Sequence, residues 1–376
     1  MRKALKNNAV QSLIASLICI VLGLLIGYIV LLFINPSGAG EAILAVIKNF
    51  WNYSRANLQL KNFGSTLVKT APLLMCALSV LFAYKVGLFN IGAAGQYVIG
   101  TCACLYAALA WGWGWLPCLL FALVCGALYG AIVGLLKSFC NVNEVISGIM
   151  LNWIGLYSTN MLLSNVKEST SPYTLHLKNA APQSMLPTLG LEELFNNKNV
   201  TIAVPLSILI AVIILIILDK TRLGYELKAT GNNKNAAKYA GMAERRNIIL
   251  TLMIAGALAA AGGAFLYLTD FEQWSVTQSS VPGMGFNGIA AAFLGGLNPI
   301  GTIFASYFIQ HITVGGAFVD KTMYSSQISD LISSIIIYLC GFVLFIKYAM
   351  NQGIARSEEK RKQKTASAQS GKGGEQ

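Results

Sequence analysis

DKTRLGYELKATGNNKNAAKYAGMAERR, residues 219–246, is the one long polar interruption between two apolar halves of this chain. It holds seven Lys/Arg and three Asp/Glu, and apolar runs of helix length flank it on both sides. Whether it is a soluble-protein loop or a loop between membrane spans decides the fold. The rest of the chain answers that.

Of the 376 residues, 55% are hydrophobic and 11% charged, less than half of the ~25% charged fraction usual in soluble domains. The 51 residues from Val86 to Leu136 carry no charge. Consecutive membrane helices require such a run, and a soluble core does not hide one. The formal charge of +12 invites a nucleic-acid reading. The basic residues, however, cluster at Arg2, Lys3 and Lys6, in the 219–246 loop and in the tail from Lys347. Positive-inside topology explains that distribution, and no nucleic-acid partner is expected.

The cysteines are Cys19, Cys76, Cys102, Cys104, Cys118, Cys125, Cys140 and Cys340, all in or beside apolar runs and none in a CxxC. That pattern gives neither a disulfide framework nor a metal cluster. His176 and His311 are far apart in sequence. No catalytic constellation, metal site or cofactor site is expected. The N-terminus has basic residues, an apolar run and Ser37-Gly38-Ala39. Its run from Val10 to Ile34 exceeds the ~7–15 residues of a signal h-region, so it reads as a first spanning helix that stays.

Ten apolar segments follow one another: 11–34, 64–84, 86–110, 115–136, 144–166, 200–218, 247–269, 284–297, 299–317 and 323–347. The eighth and ninth are short and glycine-broken, and a single re-entrant pair is the other reading of them. With residues 1–10 in the cytoplasm, Lys85, Lys137, the 219–246 loop and the polar basic tail 348–376 also fall inside. The 167–199 loop falls outside, where its three Lys and three Glu leave no positive excess. Both termini are therefore expected in the cytoplasm of a plasma-membrane protein. The tail reads as disordered, its basic cluster either solvated or near anionic lipid. The outer segment 35–63, with Trp51, Tyr53 and Phe63, reads as an interfacial helix or as aromatic anchors. Gly126, Gly130 and Gly134, four apart, predict close helix packing on the fourth segment.

Two segments echo each other. Phe89-Asn90-Ile91-Gly92-Ala93-Ala94 opens the third, and Phe286-Asn287-Gly288-Ile289-Ala290-Ala291 opens the eighth. A second echo relates Glu144-Val-Ile-Ser-Gly-Ile to Asp330-Leu-Ile-Ser-Ser-Ile, in the same order. The expectation is an all-α polytopic membrane protein with about ten transmembrane helices in a five-plus-five inverted repeat. Its halves are 11–166 and 200–347 within a permease domain of 11–347, and the third and eighth segments are broken. An odd number of crossings inverts the second copy, as in transporters. Phe89, Asn90, Gln96, Asn152, Trp153, Phe286 and Asn287 are candidates to line a pathway. The plainer reading of the amides is bonding between neighbouring helices, and of the aromatics packing. Glu144, just after Asn141-Val-Asn143, reads as an N-terminal helix charge in preference to a proton relay.

Within the opening stretch, residues 233–241 predict a short helix capped by Asn and closed by Gly241. Ala236 and Ala237 would offer a smooth face to a partner; otherwise the loop only sets topology. Asn235-Ala236-Ala237-xxx-Gly241 resembles the E-A-A-x-x-x-G coupling motif of ABC importer permeases, with Asn235 in the place of Glu. Thr221-Arg-Leu-Gly224, Lys228-Ala-Thr-Gly231-Asn232, Val86–Gln96, Asn143-Glu-Val-Ile146, Met150-Leu-Asn152, Gly285–Ala290 and Leu294-Gly-Gly-Leu-Asn-Pro-Ile300 are similar to the branch serving ribose-type sugars, branched-chain amino acids and nucleosides. The outer segments 35–63 and 167–199 look most like the larger permease of basic-membrane-protein-type nucleoside importers. That resemblance implies three partners: an ATPase at Asn235, Ala236, Ala237 and Gly241; a smaller second permease; and a lipid-anchored binding protein outside.

The chain itself has no P-loop. In Gly315–Thr322, Asp320 stands where G-x-x-x-x-G-K-[ST] requires its second Gly. The expected function is the membrane subunit of a nucleoside ABC importer. A ribose-type sugar permease and an ion-driven secondary transporter are the alternatives.

Overall fold

An apolar segment in lipid must satisfy its amides internally, so runs of this kind coil. In the computed structural model the regular elements among the described residues are helices, with isolated bridges at Lys167–Thr174 and Tyr173–Ser275. The structure describes residues 8–324, 331–332, 334–335, 338–339, 341–343 and 345–352. Arg2, Lys3, Lys6, Asp330, Cys340 and the tail from 353 lie outside the described residues, so the second echo and the tail reading are not addressed.

The helices are α1 Asn8–Ile34, α2 Ala39–Lys48, α3 Ala56–Lys85, α4 Ala93–Leu109, α5 Trp115–Cys140, α6 Glu144–Leu163, the single turns α7 Leu177–Ala180 and α8 Leu191–Leu194, α9 Ala203–Lys220, α10 Arg222–Asn232, α11 Lys234–Tyr239, α12 Glu244–Tyr267, α13 Gly283–Leu294 and α14 Pro299–Gly315. Among the described residues, five spans are long and apolar enough to cross a membrane: Ile14–Ile34, Ala56–Lys85, Trp115–Cys140, Ala203–Lys220 and Glu244–Tyr267. Ala93–Leu109 and Gly283–Leu294 are shorter apolar helices.

Several boundaries differ from expectation. The second segment starts at Ala56, eight residues before 64, because the polar stretch 56–63 continues the same helical ladder. Segment 35–63 is thus divided between α2 and the first turns of α3. Residues 86–92 of the third segment are not helical, so its break precedes α4. The eighth segment breaks at its end: α13 stops at Leu294, and Gly296 and Leu297 turn at φ of 66° and 55°. Asn298 then caps α14 by accepting from Ile300 N at 2.9 Å and Gly301 N at 3.3 Å, with Pro299 in the first turn. Pro and an Asn cap are strong helix starters. The 219–246 loop carries two helices, α10 and α11, where one was expected.

The core sits on α3 and α12. Helix α12 packs on α3, α4 and α5; α3 packs on α12, α13 and α14. The α5–α12 contact runs along the glycine stripe. A Cβ on Gly126 would lie 2.6 Å from the Gly256 carbonyl, and one on Gly134 2.9 Å from the Ile249 Cα. Gly130 meets the Leu252 carbonyl in the same way. Small residues let two backbones touch where lipid supplies no hydrophobic drive. The described cysteines, Cys19 to Cys140, are free.

The bundle has two distinct ends. At one, Gly87 meets Gly231 and Gly134 meets Ile249, which gathers Lys85, Lys137 and the 219–246 loop. At the other, Leu186 N donates to Leu268 O at 3.0 Å, Gln183 Nε2 to Gly112 O at 3.3 Å, and Asn197 Nδ2 to Lys61 O at 2.9 Å.

Candidate functional site

At the basic end, short polar side chains start each helix of the loop. Thr221 Oγ1 accepts from Gly224 N at 3.1 Å to begin α10, and Asn233 Oδ1 accepts from Ala236 N at 3.0 Å to begin α11. Gly241, at φ 77°, ends α11. Its amide donates to Lys238 O at 3.0 Å and that of Met242 to Ala237 O at 3.0 Å. This pair of bonds is a Schellman closure, which needs a left-handed residue where Gly241 stands.

The expected Ala236–Ala237 face does not exist as such. Successive helical residues point ~100° apart. Ala237 is 3% exposed and turned into the fold, while Ala236 and Asn235 are exposed. Tyr239, four residues beyond Asn235 and on the same face, is 93% exposed. The outward surface of α11 is therefore Asn235, Ala236 and Tyr239 between Lys234 and Lys238. Asn235 is part of that surface; the capping residue is Asn233.

Helix α10 is held on two sides. Asn247 Nδ2 of α12 donates to Thr230 Oγ1 at 2.8 Å. On the other side, a Cβ on Gly87, whose φ is 77°, would lie 2.8 Å from Gly231 O. The basic loop thus abuts the non-helical stretch 86–92.

Buried amides tie that stretch down. Asn90 Nδ2 donates to Gln96 Oε1 at 2.8 Å and Ser79 Oγ at 2.9 Å, and Gln96 Nε2 returns a bond to Asn90 Oδ1 at 3.2 Å. Asn152 Oδ1 accepts from Gly95 N at 2.7 Å, and its Nδ2 donates to Ile91 O at 3.1 Å. Backbone groups freed by a broken helix must find partners, and these side chains supply them. Asn90, Gln96 and Asn152 are buried and bonded within the chain. Trp153 is 43% exposed and stacks on Tyr157 at 6.0 Å. Phe286 is 38% exposed; Phe89 and Asn287 are half-buried. Glu144 pairs with Lys137 at 2.8 Å, next to the Asn143 cap of α6, as suits a charge at a helix N-terminus.

At the opposite end, the loops 164–202 and 268–282 knit together. Trp274 is fully buried; its Nε1 donates to Asn160 Oδ1 at 2.9 Å, and it accepts from Thr174 N at 2.9 Å. Asp270 accepts from Leu177 N at 3.0 Å at the start of α7, with His176 Nδ1 at 3.3 Å. Beneath these loops is a cavity of about 410 Å³, floored by Tyr97 and Tyr267 and walled by Tyr173, Glu272, Gln278 and Met284. Lys69 of α3 reaches Glu272 at 2.9 Å and stands over the Phe271 ring at 5.6 Å. The sequence reading missed this site. Its signal was Lys69, the lone charge in segment 64–84, since an ionisable residue in a span marks function by default. Among the described residues no cluster could hold a metal ion.

Apolar helices of spanning length, a basic loop between two helical halves and helices broken inside the bundle define a multi-pass membrane protein. The chain belongs to the family described as branched-chain amino acid transport system / permease component, whose model matches residues 62–341. It is 32% identical to the guanosine ABC transporter permease protein NupP of Bacillus subtilis, over 90% of this chain and 96% of that one. It is 32% identical to the nucleoside ABC transporter permease protein NupB of Lactococcus lactis, over 95% and 98%. It is 29% identical to the glucose ABC transporter permease protein TsgB13 of Haloferax volcanii, over 78% and 80%. No solved structure matches the chain.

Proposed function

We propose that this permease forms the membrane pathway of an ABC importer for nucleosides, powered at its 219–246 loop by a separate ATPase. The observation that carries the loop's role is its wedged position: α10 lies against Gly87 and α11 presents Asn235, Ala236 and Tyr239 outward. Force applied to α11 has a short rigid route to the broken helix. Nucleosides are favoured over sugars because the two relatives covered almost end to end, NupP and NupB, are permeases for guanosine and nucleosides. The similarity to a glucose permease keeps a sugar as the second reading. An ion-gradient mechanism falls away, since the relatives are ABC permeases.

The rest of the assembly follows from this reading. The basic end faces the cytoplasm with both termini, and the end bearing loops 35–63 and 167–199 receives solute from a lipid-anchored binding protein. The halves 11–166 and 200–347 form an inverted repeat. It is supported by the way α3 and α12, the second spanning-length helix of each half, pack on each other and on helices of the opposite half. A second, smaller permease completes the pathway, against apolar faces such as that of Met150, Trp153 and Tyr157 on α6.

The test is uptake of radiolabelled guanosine, with affinity purification, in cells carrying the intact transporter. ATP-dependent uptake, blocked by excess guanosine and not by glucose, with an ATPase co-purifying, is the expected result. No guanosine uptake, with ATP-dependent uptake of radiolabelled glucose in its place, moves the assignment to sugars.

A further inference from the structure

The cavity above Tyr97 and Tyr267 has the chemistry of a solute station. Its volume of about 410 Å³ lies within the ~300–1,000 Å³ typical of small-molecule sites. Two phenol rings, 6.5 Å apart and tilted 56°, form its floor. Tyr97 is 1% and Tyr267 6% exposed, so packing fixes the floor and little of either ring faces the cavity. Tyr173 adds a third ring at the mouth, and Met284 adds a polarizable thioether, which favours aromatic neighbours. The opposite wall is polar. Glu272 directs a carboxylate to the cavity while Lys69 holds Oε1 at 2.9 Å. Gln278 stands beside it, its backbone fixed by the Asn160 side chain at 2.9 Å.

An exposed tyrosine ring facing a carboxylate and an amide suits a solute with a planar base at one end and vicinal hydroxyls at the other. Tyr173 can stack on the base. A carboxylate is an acceptor only, and hydroxyl groups are donors it can receive. We infer that this cavity is a nucleoside-binding station within the permease chain, with the base against Tyr173, which is 46% exposed, and the ribose hydroxyls toward Glu272 and Gln278. The inference rests on the nucleoside reading above and assigns residues that the broken-helix amides do not include. The position is suited to a station in the path. Lys69, Tyr97, Tyr267 and Met284 come from α3, α4, α12 and α13, so the cavity lies where the two halves meet. Tyr97 also follows Gln96, whose side chain locks the break next to the basic loop.

The test uses membranes of cells carrying the intact transporter and 8-azidoguanosine as photoprobe. Cross-links are expected on Tyr173 or residues 272–284, suppressed by guanosine and not by ribose or glucose. Because Tyr97→Ala would empty a buried site, the variant is Glu272→Gln, checked for unchanged membrane abundance. Glu272→Gln should raise the KM for guanosine uptake about tenfold, the loss of one hydrogen bond to a charged group. Cross-links confined to Trp153 and Tyr157 on α6, equal suppression by ribose, or an unchanged KM in Glu272→Gln overturn the station. Absence of guanosine uptake by the unmodified transporter overturns the nucleoside reading itself, and the station with it. Normal uptake with cross-links elsewhere removes the station alone.

Discussion

Gly231, in the last turn of α10, lies against Gly87 so closely that a Cβ on Gly87 would be 2.8 Å from the Gly231 carbonyl and 3.0 Å from its Cα. These two glycines join the basic loop to the start of the broken third segment. The contact is backbone on backbone, so displacement on one side is passed to the other without a flexible side chain between them. A packed contact of this kind shifts between discrete arrangements and does not deform smoothly.

Gly231→Ala should therefore uncouple transport. The new methyl meets the backbone of Val86 and Gly87, and α10 must move off the break. Guanosine uptake is expected to fall about tenfold or more, a coupling loss of the usual 1–3 kcal/mol, while the permease stays in the membrane and the ATPase still co-purifies. Loss of ATPase binding in this variant would instead mean that the contact only shapes the docking surface.

The docking surface is tested at Tyr239. Exposed aromatic anchors carry much of an interface's energy, with truncation losses of about 2 kcal/mol or more. Tyr239→Ala should reduce ATPase co-purification about thirtyfold, whereas Asn235→Ala, a small polar neighbour, should change it little. Ala237→Asp should lower thermal stability, because Ala237 packs inward. Equal effects of Tyr239→Ala and Asn235→Ala on association would refute the assignment of Tyr239 as the anchor.

The amide lock makes a stability prediction. Asn90→Ala leaves the Gln96 amide without the partner that both donates to it and accepts from it. A buried polar group stripped of its partner costs about 1–3 kcal/mol. A drop in the melting temperature of the solubilised permease is expected, and Asn90→Leu/Gln96→Leu should lose less than the two single changes added together. Additive losses would mean that the two side chains act independently.

The α5–α12 seam is tested by volume. Gly130→Val drives a side chain into the Leu252 carbonyl, and overpacking of a tight contact typically costs about 1–3 kcal/mol. Folded protein measured by size-exclusion chromatography should fall sharply. Gly40→Ala, where no atom approaches the added carbon, serves as the tolerant control.

Much of this protein was legible in the linear chain. The charge-free run from Val86 to Leu136 required membrane helices. Gly126, Gly130 and Gly134 marked a close-packed seam, and Asn233 with Gly241 marked a helix inside the loop. These are local or periodic properties, and periodicity survives in one dimension. The cavity was not legible. Tyr97, Tyr267, Glu272 and Met284 are scattered over nearly two hundred residues, and a tyrosine in a membrane helix looks the same whether it packs or lines a space.

The amides divide the same way. Sequence identified Asn90, Gln96 and Asn152 as polar groups at a break, because a glycine-rich polar interruption frees backbone groups that need partners. Only the packing of α4 against α3 and α6 decided that they bond one another and the chain, since an amide's partner depends on which helices adjoin. The 219–246 stretch shows the limit most plainly. Composition and spacing determined that it is basic, helical and capped. The tertiary fold decided that Ala237 turns in, that Tyr239 turns out and that Gly231 rests on Gly87, because a helix face acquires its direction from what it packs against.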